Sequence, residues 1–244
     1  MTAWNTPAGD DRAVIAVVPA YEAEATVGDV VRDLVARWPC RVDGAAVIVV
    51  DDGSTDSTSR VAESAGAIVV RHATNRGKGA ALRTGFYRAL ALGAEQAVTV
   101  DADGQHFPAE AVRLALDPAP SRALLLGVRD LVRDGAPRPN RISNGISNFF
   151  LSLFSGRSLH DTQCGLRRYP LNEVLALGAH DDGYAYEAEV ILRACKAGLP
   201  VVEVPVQVHY PPEHLRVTHF HVVKDPARIV FRVVETLAAT RGRS

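Results

Sequence analysis

Four short apolar runs, rich in β-branched residues, alternate with segments of helical periodicity in the first half of this chain. The runs cover residues 13–18, 45–50, 67–70 and 97–100. Continuous apolar runs of this length predict strands that are buried on both faces. The segments between them predict helices at 24–37, at 54–65 and after the glycine-rich turn NRGKG. This alternation predicts an α/β domain with a mostly parallel central sheet flanked by helices.

Polar clusters accompany these strands in the order PAYEAE, DDGSTD, NRGKG and DADGQ. In parallel α/β sheets, ligands bind beyond the carboxyl ends of the strands. The four clusters therefore predict one shared site at that edge of the sheet. We also expect Pro19 to end the first strand and Thr26 to cap the helix that follows it.

The second half of the chain is less regular. A basic loop, RDGAPRPNR, precedes a segment whose apolar residues share one face: Ile142, Ile146, Phe149, Phe150, Leu153 and Phe154. Residues 186–197 and 226–240 predict helices, and residues 199–208 predict a strand.

Composition and charge exclude several classes of function. The 244 residues carry a formal net charge of −1, so no basic field indicates binding to nucleic acid. The amino-terminal MTAWNTPAGDDR has no signal-peptide pattern, and no run approaches the ~20 apolar residues that span a bilayer. Cys40, Cys164 and Cys195 fit no metal or redox spacing and predict reduced thiols. We expect a cytoplasmic protein with one large domain.

Asp101 and Asp103 directly follow the fourth apolar run. Residues i and i+2 of extended backbone face the same side, so the two carboxylates can converge on one cation. Hard carboxylate oxygens suit Mg²⁺ or Mn²⁺, and Gln105 offers a further oxygen. A solvated turn and an acid–base pair are the alternatives that these residues leave open. His106 fits phosphate binding and simple packing equally well.

Asp51 and Asp52 follow the second run and should point in opposite directions, as neighbouring residues of a strand do. One is expected to face the ligand edge and to accept hydrogen bonds from a base or a ribose. The other is expected to cap the helix that begins near Ser54. Ser54, Thr55 and Asp56 are typical of turns and caps.

The NRGKG cluster places Gly77, Lys78 and Gly79 at the start of a helix. Backbone N–H groups and the helix dipole favour an anion there, and Lys78 and Arg76 add positive charge. The spacing matches neither a P-loop nor a dinucleotide-binding fingerprint. The prediction is therefore an anion site whose ligand the spacing does not specify.

Arginines and histidines are frequent in the second half. Arg129, Arg133, Arg138 and Arg141 predict either a solvated loop or a site for an anionic acceptor beside a membrane, where basic residues meet anionic lipid. The histidines of the last loop show no zinc spacing and are expected to be loop or packing residues: His209, His214, His219 and His221.

Six motifs occur here in the order found in one enzyme family: VVPAYEAE, VIVVDDGSTDST, NRGKGAALRTGF, VDADGQHFP, GVRD and DTQCGLRRY. On these motifs the chain resembles the family 2 glycosyltransferases, most closely the branch of dolichyl- and polyprenyl-phosphate glucose and mannose synthases. The resemblance implies a GT-A fold. It also implies a nucleotide-sugar half at residues 13–116 and an acceptor half at 122–244, divided near 116–122.

The same resemblance implies an inverting, metal-dependent transfer of a hexose, glucose or mannose, from a UDP- or GDP-sugar to a polyprenyl-type lipid phosphate. The residues implied to bind the nucleotide-sugar are Pro19, Tyr21, Glu22, Asp52, Lys78, Asp101 and Ala102. Those implied to hold Mg²⁺ or Mn²⁺ are Asp101, Asp103 and Gln105. Those implied to face the acceptor phosphate are Arg129, Arg141 and Ser143, with Asp103, Arg129 and Arg141 as catalytic residues. Those implied to line the sugar site are Asp161, Thr162, Gln163 and Glu187.

Many members of this branch carry C-terminal transmembrane helices, and this chain shows none. A lipid acceptor would then require peripheral contact with the inner face of the cytoplasmic membrane. The apolar face within residues 144–154 is the candidate contact, and packing of that face onto the core is the alternative.

The acceptor decides whether a general base is needed. A phosphate attacks without help because its second pKa is about 6, whereas a hydroxyl needs a positioned base. Glu187, Glu189 and Asp161 are the candidates for that base. A family 2 transferase with a saccharide or other hydroxyl acceptor and a non-catalytic nucleotide-sugar binding module are the remaining alternatives.

Overall fold

The computed structural model describes residues 13–210. The helix predicted at 226–240 and His214, His219 and His221 lie outside the described residues. In chain order the elements are β1 (Val14–Ala20), α1 (Val27–Arg37), β2 (Val47–Asp51), α2 (Thr58–Ser64), β3 (Ile68–Arg71), α3 (Lys78–Ala91), β4 (Gln96–Thr99), α4 (Pro108–Ala115), β5 (Leu124–Arg129), α5 (Arg138–Ser155), β6 (Arg167–Pro170), α6 (Leu171–Ala176), α7 (Ala185–Lys196) and β7 (Val201–Val206).

The strands form one sheet in the order β3-β2-β1-β4-β6-β5-β7. β1 pairs in parallel with β2 and β4, β2 with β3, and β5 with β7. β6 alone among these strands is antiparallel to both of its neighbours. The predicted α/β class with a mostly parallel sheet is confirmed.

Alternate residues of β1 pack into two different apolar layers. Ile15 and Val17 join a core cluster with residues of α3 and α7. Val14, Ala16 and Val18 join another cluster with residues of α1 and α4. Helices therefore cover both faces of the sheet, and this explains why β1 and β2 are apolar runs without polar alternation.

Pro19 does not end β1, which continues to Ala20 with Pro19 opposite Val50. The oxygen of Val17 accepts a hydrogen bond from the N–H of Val100, so the odd-numbered residues of β1 face β4. Because β4 ends at Thr99, the N–H that proline lacks falls at the end of the β1–β4 ladder and costs it at most its last hydrogen bond. The prediction that Pro19 stops the strand is wrong for this reason.

Thr26 precedes the first helical residue but makes no side-chain capping bond. Its hydroxyl donates to the carbonyl of Ala102 at 2.6 Å instead. The predicted cap is thus wrong. The side chain ties the start of α1 to the DADGQ segment after β4.

The helix α5 has a polar buried side and an apolar exposed side. Its buried residues are Ser143, Asn144, Ser147 and Leu151. The exposed residues Ile142 (65%), Ile146 (44%), Phe149 (64%) and Leu153 (62%) form what we call the α5 stripe. The alternative that the apolar face packs onto the core is therefore wrong for these four residues. Among the helices described, none is long and apolar enough to cross a membrane.

Candidate active site

A cavity of about 400 Å³ opens at the carboxyl ends of β1, β2 and β4. Tyr21, Asp52 and Asp101 reach it from these strand ends, and Lys78 reaches it from the start of α3. One residue from each of the four polar clusters is therefore present in a single site. The second half of the chain also lines the cavity, with Arg129 at the end of β5 and Glu187 on α7.

Most of the residues expected at the site line this cavity: Pro19, Tyr21, Asp52, Lys78, Asp101, Ala102, Asp103, Gln105, Arg129, Thr162, Gln163 and Glu187. His106 also lines it. Four expected residues are not among those that line it: Glu22, Arg141, Ser143 and Asp161.

Asp101 is held from two sides. The Lys78 ammonium lies 2.7 Å from its Oδ1, and Nε2 of His106 lies 3.4 Å from its Oδ2. Burial alone would raise the pKa of Asp101, but these neighbours hold it well below its usual range. Burial also opposes the charge on Lys78, yet Asp101 and Glu187 outweigh that effect and raise its pKa.

Asp103 has the opposite electrostatic environment. Burial and then the nearby charge of Asp101 raise the pKa of Asp103. Its Oδ1 accepts the N–H of Gln105 at 3.0 Å, so the segment is also an Asx turn. Gly104, which has a φ of +75°, belongs to the same turn.

Asp52 is the anion at the start of α3. Its Oδ2 accepts the N–H of Gly77 at 2.7 Å, and its Oδ1 accepts the N–H of Arg76 at 3.0 Å. Nδ1 of His72 lies 2.6 Å from Oδ1 and, since a carboxylate only accepts, must carry the proton. The anion site predicted from NRGKG is thus filled by a side chain of the protein, which still lines the cavity.

The prediction that one of the two aspartates caps a helix beginning near Ser54 is wrong, because α2 begins at Thr58, and Asp51 instead holds the turn before that helix. Its Oδ1 accepts the N–H of Ser54 at 2.9 Å, and Ser59 donates its hydroxyl to Oδ2. Glu22, expected beside the nucleotide, accepts the N–H and the hydroxyl of Thr55 at 2.8 and 3.0 Å. It shapes the DDGSTD loop.

Arg129 is fixed by Asp161. Nε and Nη2 of Arg129 donate to the two Asp161 oxygens at 2.7 and 3.0 Å. Burial alone would lower the pKa of the Arg129 guanidinium, but the charge of Asp161 outweighs that effect and holds this pKa well above its usual value. A third nitrogen, Nη1, lies 3.3 Å from the hydroxyl of Tyr210. Asp161 is fully buried and positions the arginine that lines the cavity.

A second depression of about 540 Å³ adjoins the first and shares Arg129 and Leu131 with it. Arg133 and Arg141 line it, as does the buried Asn144 of α5. Arg141 therefore faces this depression instead of the main cavity. Ser143 is buried and accepts a hydrogen bond at 3.0 Å from the Gln163 amide, which supports a residue of the main cavity.

Glu187 and Glu189 have separate roles, although the sequence suggests both as bases. Glu187 lies between Lys78, 3.0 Å from its Oε2, and Arg167, 3.8 Å from its Oε1. Its Oε1 has no hydrogen-bond partner among the described residues. Glu189 is not among the residues that line the cavity; it accepts from Arg193 at 2.8 Å and from the N–H of Asp181 at 3.0 Å.

Two contributors were missed at the sequence level. Tyr184 lines the cavity, with the Lys78 ammonium 5.9 Å from the centre of its ring. His72 holds Asp52 and also contacts Thr84 through Nε2 at 2.9 Å. The sequence signal for His72 is its position three residues before the NRGKG motif, and that for Tyr184 is its position three residues before Glu187.

A divalent cation fits the oxygen donors of this cavity. Asp101, Asp103 and Gln105 line it together, so two carboxylates and an amide oxygen are available to a cation. No group of three or more His, Cys, Asp or Glu side chains suited to a metal occurs within residues 13–210. A cation would therefore need further oxygens from a ligand, as Mg²⁺ commonly does.

Comparison with known proteins identifies the family. Residues 15–175 match the family described as Glycosyl transferase family 2. The chain belongs to this family. As a family 2 glycosyltransferase, it is a group-transfer enzyme and not a binding module alone.

Two relatives of this glycosyltransferase are named for dolichyl or polyprenol phosphate chemistry. It is 28% identical over 226 residues to UDP-N-acetylglucosamine–dolichyl-phosphate N-acetylglucosaminyltransferase of Methanococcus voltae, spanning 82% of this chain and 87% of that protein. It is 36% identical over 174 residues to polyprenol monophosphomannose synthase of Mycolicibacterium smegmatis, spanning 66% of this chain and 65% of that protein.

The fold of this glycosyltransferase is similar to that of a solved enzyme. Its TM-score is 0.72 with glucosyl-3-phosphoglycerate synthase from Mycobacterium tuberculosis, crystallised with Mn²⁺, UDP-glucose and phosphoglyceric acid. The identity is 22%, and the match covers 98% of this chain and 86% of that one. The GT-A fold implied by the sequence motifs is confirmed.

Proposed function

We propose that this glycosyltransferase transfers a hexose, glucose or mannose, from a UDP- or GDP-sugar to a polyprenyl-type lipid phosphate, with inversion at the anomeric carbon. The donor binds in the half at 13–116 and the acceptor is held by the half at 122–244. Relatives named for dolichyl- and polyprenyl-phosphate transfer support the acceptor class. The similar fold crystallised with UDP-glucose supports a nucleotide-sugar donor.

In this proposal Asp101, Asp103 and Gln105 hold Mg²⁺ or Mn²⁺ on the donor diphosphate. The cation would act as a Lewis acid for the departing diphosphate. His72 and two backbone N–H groups hold the Asp52 carboxylate in place, and this carboxylate would contact the nucleoside. Thr162, Gln163 and Glu187 also line the cavity, and the sugar would lie against them.

The observation that best supports a phosphate acceptor is the pairing of the candidate general bases, Asp161 and Glu187, with cationic side chains. Both oxygens of Asp161 are hydrogen-bonded to Arg129, and Glu187 is paired with Lys78. Asp161 is therefore not arranged to accept a proton from a hydroxyl nucleophile, and the charge of Glu187 is offset by Lys78. A phosphate is largely ionised at neutral pH and needs no base, because its second pKa is about 6.

Arg129 and Arg141 supply positive charge for that phosphate. Arg129 lines both cavities, and Arg141 lines the outer one. An acceptor phosphate at their junction would be positioned for in-line attack on a sugar in the main cavity. Attack on the face opposite the leaving diphosphate inverts the anomeric centre.

The α5 stripe supports delivery of the acceptor from a membrane surface. Four large apolar side chains are exposed on the same helix whose first turns carry Arg138 and Arg141. Apolar side chains beside arginines are typical of surfaces that lie on anionic lipid. We propose that α5 contacts the membrane peripherally, with the outer depression opening toward the lipid phosphate.

A hydroxyl acceptor remains the second candidate because Oε1 of Glu187 has no hydrogen-bond partner among the described residues. The experiment is a panel of UDP- and GDP-hexoses with Mg²⁺ or Mn²⁺ and a short polyprenyl phosphate, followed by released nucleoside diphosphate. We expect one donor to give release that depends on the lipid phosphate. Release no greater than that of an Asp103→Ala control for every donor would refute the proposal.

A further inference from the structure

The ammonium of Lys78 is paired with Asp101, one of the carboxylates proposed to hold the divalent cation. Nζ lies 2.7 Å from Oδ1 of Asp101 and 3.0 Å from Oε2 of Glu187. The Lys78 side chain is largely buried in the floor of the main cavity. One protein cation therefore bridges an aspartate after β4 and a glutamate on α7.

The backbone around Lys78 is fixed by close packing. A Cβ atom at Gly77 would lie 2.3 Å from the carbonyl oxygen of Asp182, and one at Gly79 would lie 2.3 Å from that of Asp181. The N–H of Ala80 donates to the Asp182 carbonyl at 3.1 Å. The start of α3 is thus held against the loop before α7, which keeps the ammonium between its two carboxylates.

Asp101 has little freedom to turn away from this ammonium. Its other oxygen lies 3.4 Å from Nε2 of His106. A Cβ atom at Gly165 would lie 2.2 Å from Oδ2 of Asp101, so only glycine leaves room for the carboxylate there. A divalent cation that reached Asp101 would meet the Lys78 ammonium at close range.

We propose that Lys78 is a resident counter-ion that keeps the divalent cation from binding tightly until the donor diphosphate arrives. The inference rests on the proposed function of this cavity. Two positive charges a few ångströms apart repel strongly in a partly buried site. The negative charge of a nucleoside diphosphate offsets that repulsion, so cation and nucleotide each increase the affinity for the other.

The test is a titration of the whole protein with Mn²⁺ alone, with free Mn²⁺ followed by electron paramagnetic resonance, with and without saturating UDP. Lys78→Met and Lys78→Gln remove the charge, and Lys78→Gln keeps a hydrogen-bond donor for Asp101 in case the methionine variant does not fold. Lys78→Arg retains the charge and is the matched control. Circular dichroism melts establish that each variant is folded.

We expect the wild type to bind Mn²⁺ weakly alone and more tightly with UDP. The uncharged variants should bind Mn²⁺ without UDP about tenfold more tightly than the wild type, since a nearby positive charge is gone. Lys78→Arg should match the wild type. Uncharged variants that bind Mn²⁺ no more tightly than the wild type would overturn the counter-ion role alone. A wild type that does not bind Mn²⁺ even with UDP would refute the metal-dependent function and, with it, this inference.

Discussion

The Arg129 guanidinium donates two hydrogen bonds to the Asp161 carboxylate, from Nε at 2.7 Å and from Nη2 at 3.0 Å. Asp161 also accepts the backbone N–H of Arg129 at 3.1 Å. The aspartate is committed to orienting an arginine that faces both cavities. This relationship favours an acceptor that brings its own negative charge.

Arg129→Lys should lower kcat by about 100-fold, because lysine keeps the charge but cannot make the two-point contact that fixes the side chain. The measurement is nucleoside diphosphate release at saturating donor and acceptor. Arg122→Lys is the matched control, since Arg122 is exposed and pairs with Glu173 away from the site. A kcat for Arg129→Lys within twofold of the wild type would contradict the positioning role.

Glu187→Gln should slow transfer to a polyprenyl phosphate by no more than about tenfold, because an ionised phosphate needs no base. The remaining loss reflects the broken contact with Lys78. Initial rates with the purified variant and the lipid phosphate check this. Complete loss of activity on the lipid phosphate would contradict transfer without a general base.

A Phe149→Ser, Leu153→Ser double variant should bind vesicles containing anionic lipid at least tenfold more weakly, since each apolar side chain buried in lipid contributes about 1.5–3 kcal/mol. Co-sedimentation with the vesicles gives the bound fraction. Tyr87→Ser is the control, because Tyr87 is also exposed (61%) but lies on α3. Equal weakening by both changes would refute a specific role of the α5 stripe.

The environment of Glu189 predicts that this residue contributes to the stability of the fold in a pH-dependent way. Burial alone would raise the pKa of Glu189, but the N–H groups of Asp181 and His180 and the Arg193 side chain lower it. The stabilisation is therefore present above the unfolded pKa of about 4.3 and is lost as the pH falls through the lower folded value. Glu189→Gln should reduce the free energy of unfolding by about 2 kcal/mol at pH 7.

Urea unfolding of wild type and Glu189→Gln at several pH values checks this sign. The difference between the two proteins should shrink as the pH falls below about 4. A difference that grows on acidification would contradict the assignment.

The sequence predicts β1 to β4 well because each coincides with an apolar run, although only β1, β2 and β4 are almost fully buried and the edge strand β3 is half-exposed. β6 is not predicted, since its sequence RRYP contains two arginines and is nevertheless buried. Arg167 donates to the carbonyls of Thr162, Cys164 and Glu187, and Arg168 to those of Leu114, Asp117 and Ala119. Most of these carbonyls come from distant segments, so no local pattern indicates the strand.

The candidate site also combines features that the sequence predicts with features that it does not. The motifs correctly bring Asp52, Lys78 and Asp101 to one edge, because parallel strands share their carboxyl ends. They do not reveal that His72 holds Asp52, nor that Lys78 pairs with Glu187, which lies 109 positions later in the sequence. Such pairings depend on how the second half packs onto α3.

The most direct measurement compares a short polyprenyl phosphate with the corresponding polyprenol as acceptor, each with the best nucleotide-hexose and Mg²⁺ or Mn²⁺. The account predicts release of nucleoside diphosphate with the phosphate, little release with the alcohol, and none above background for Asp103→Ala. Equal release with the alcohol, or undiminished release by Asp103→Ala, would contradict it.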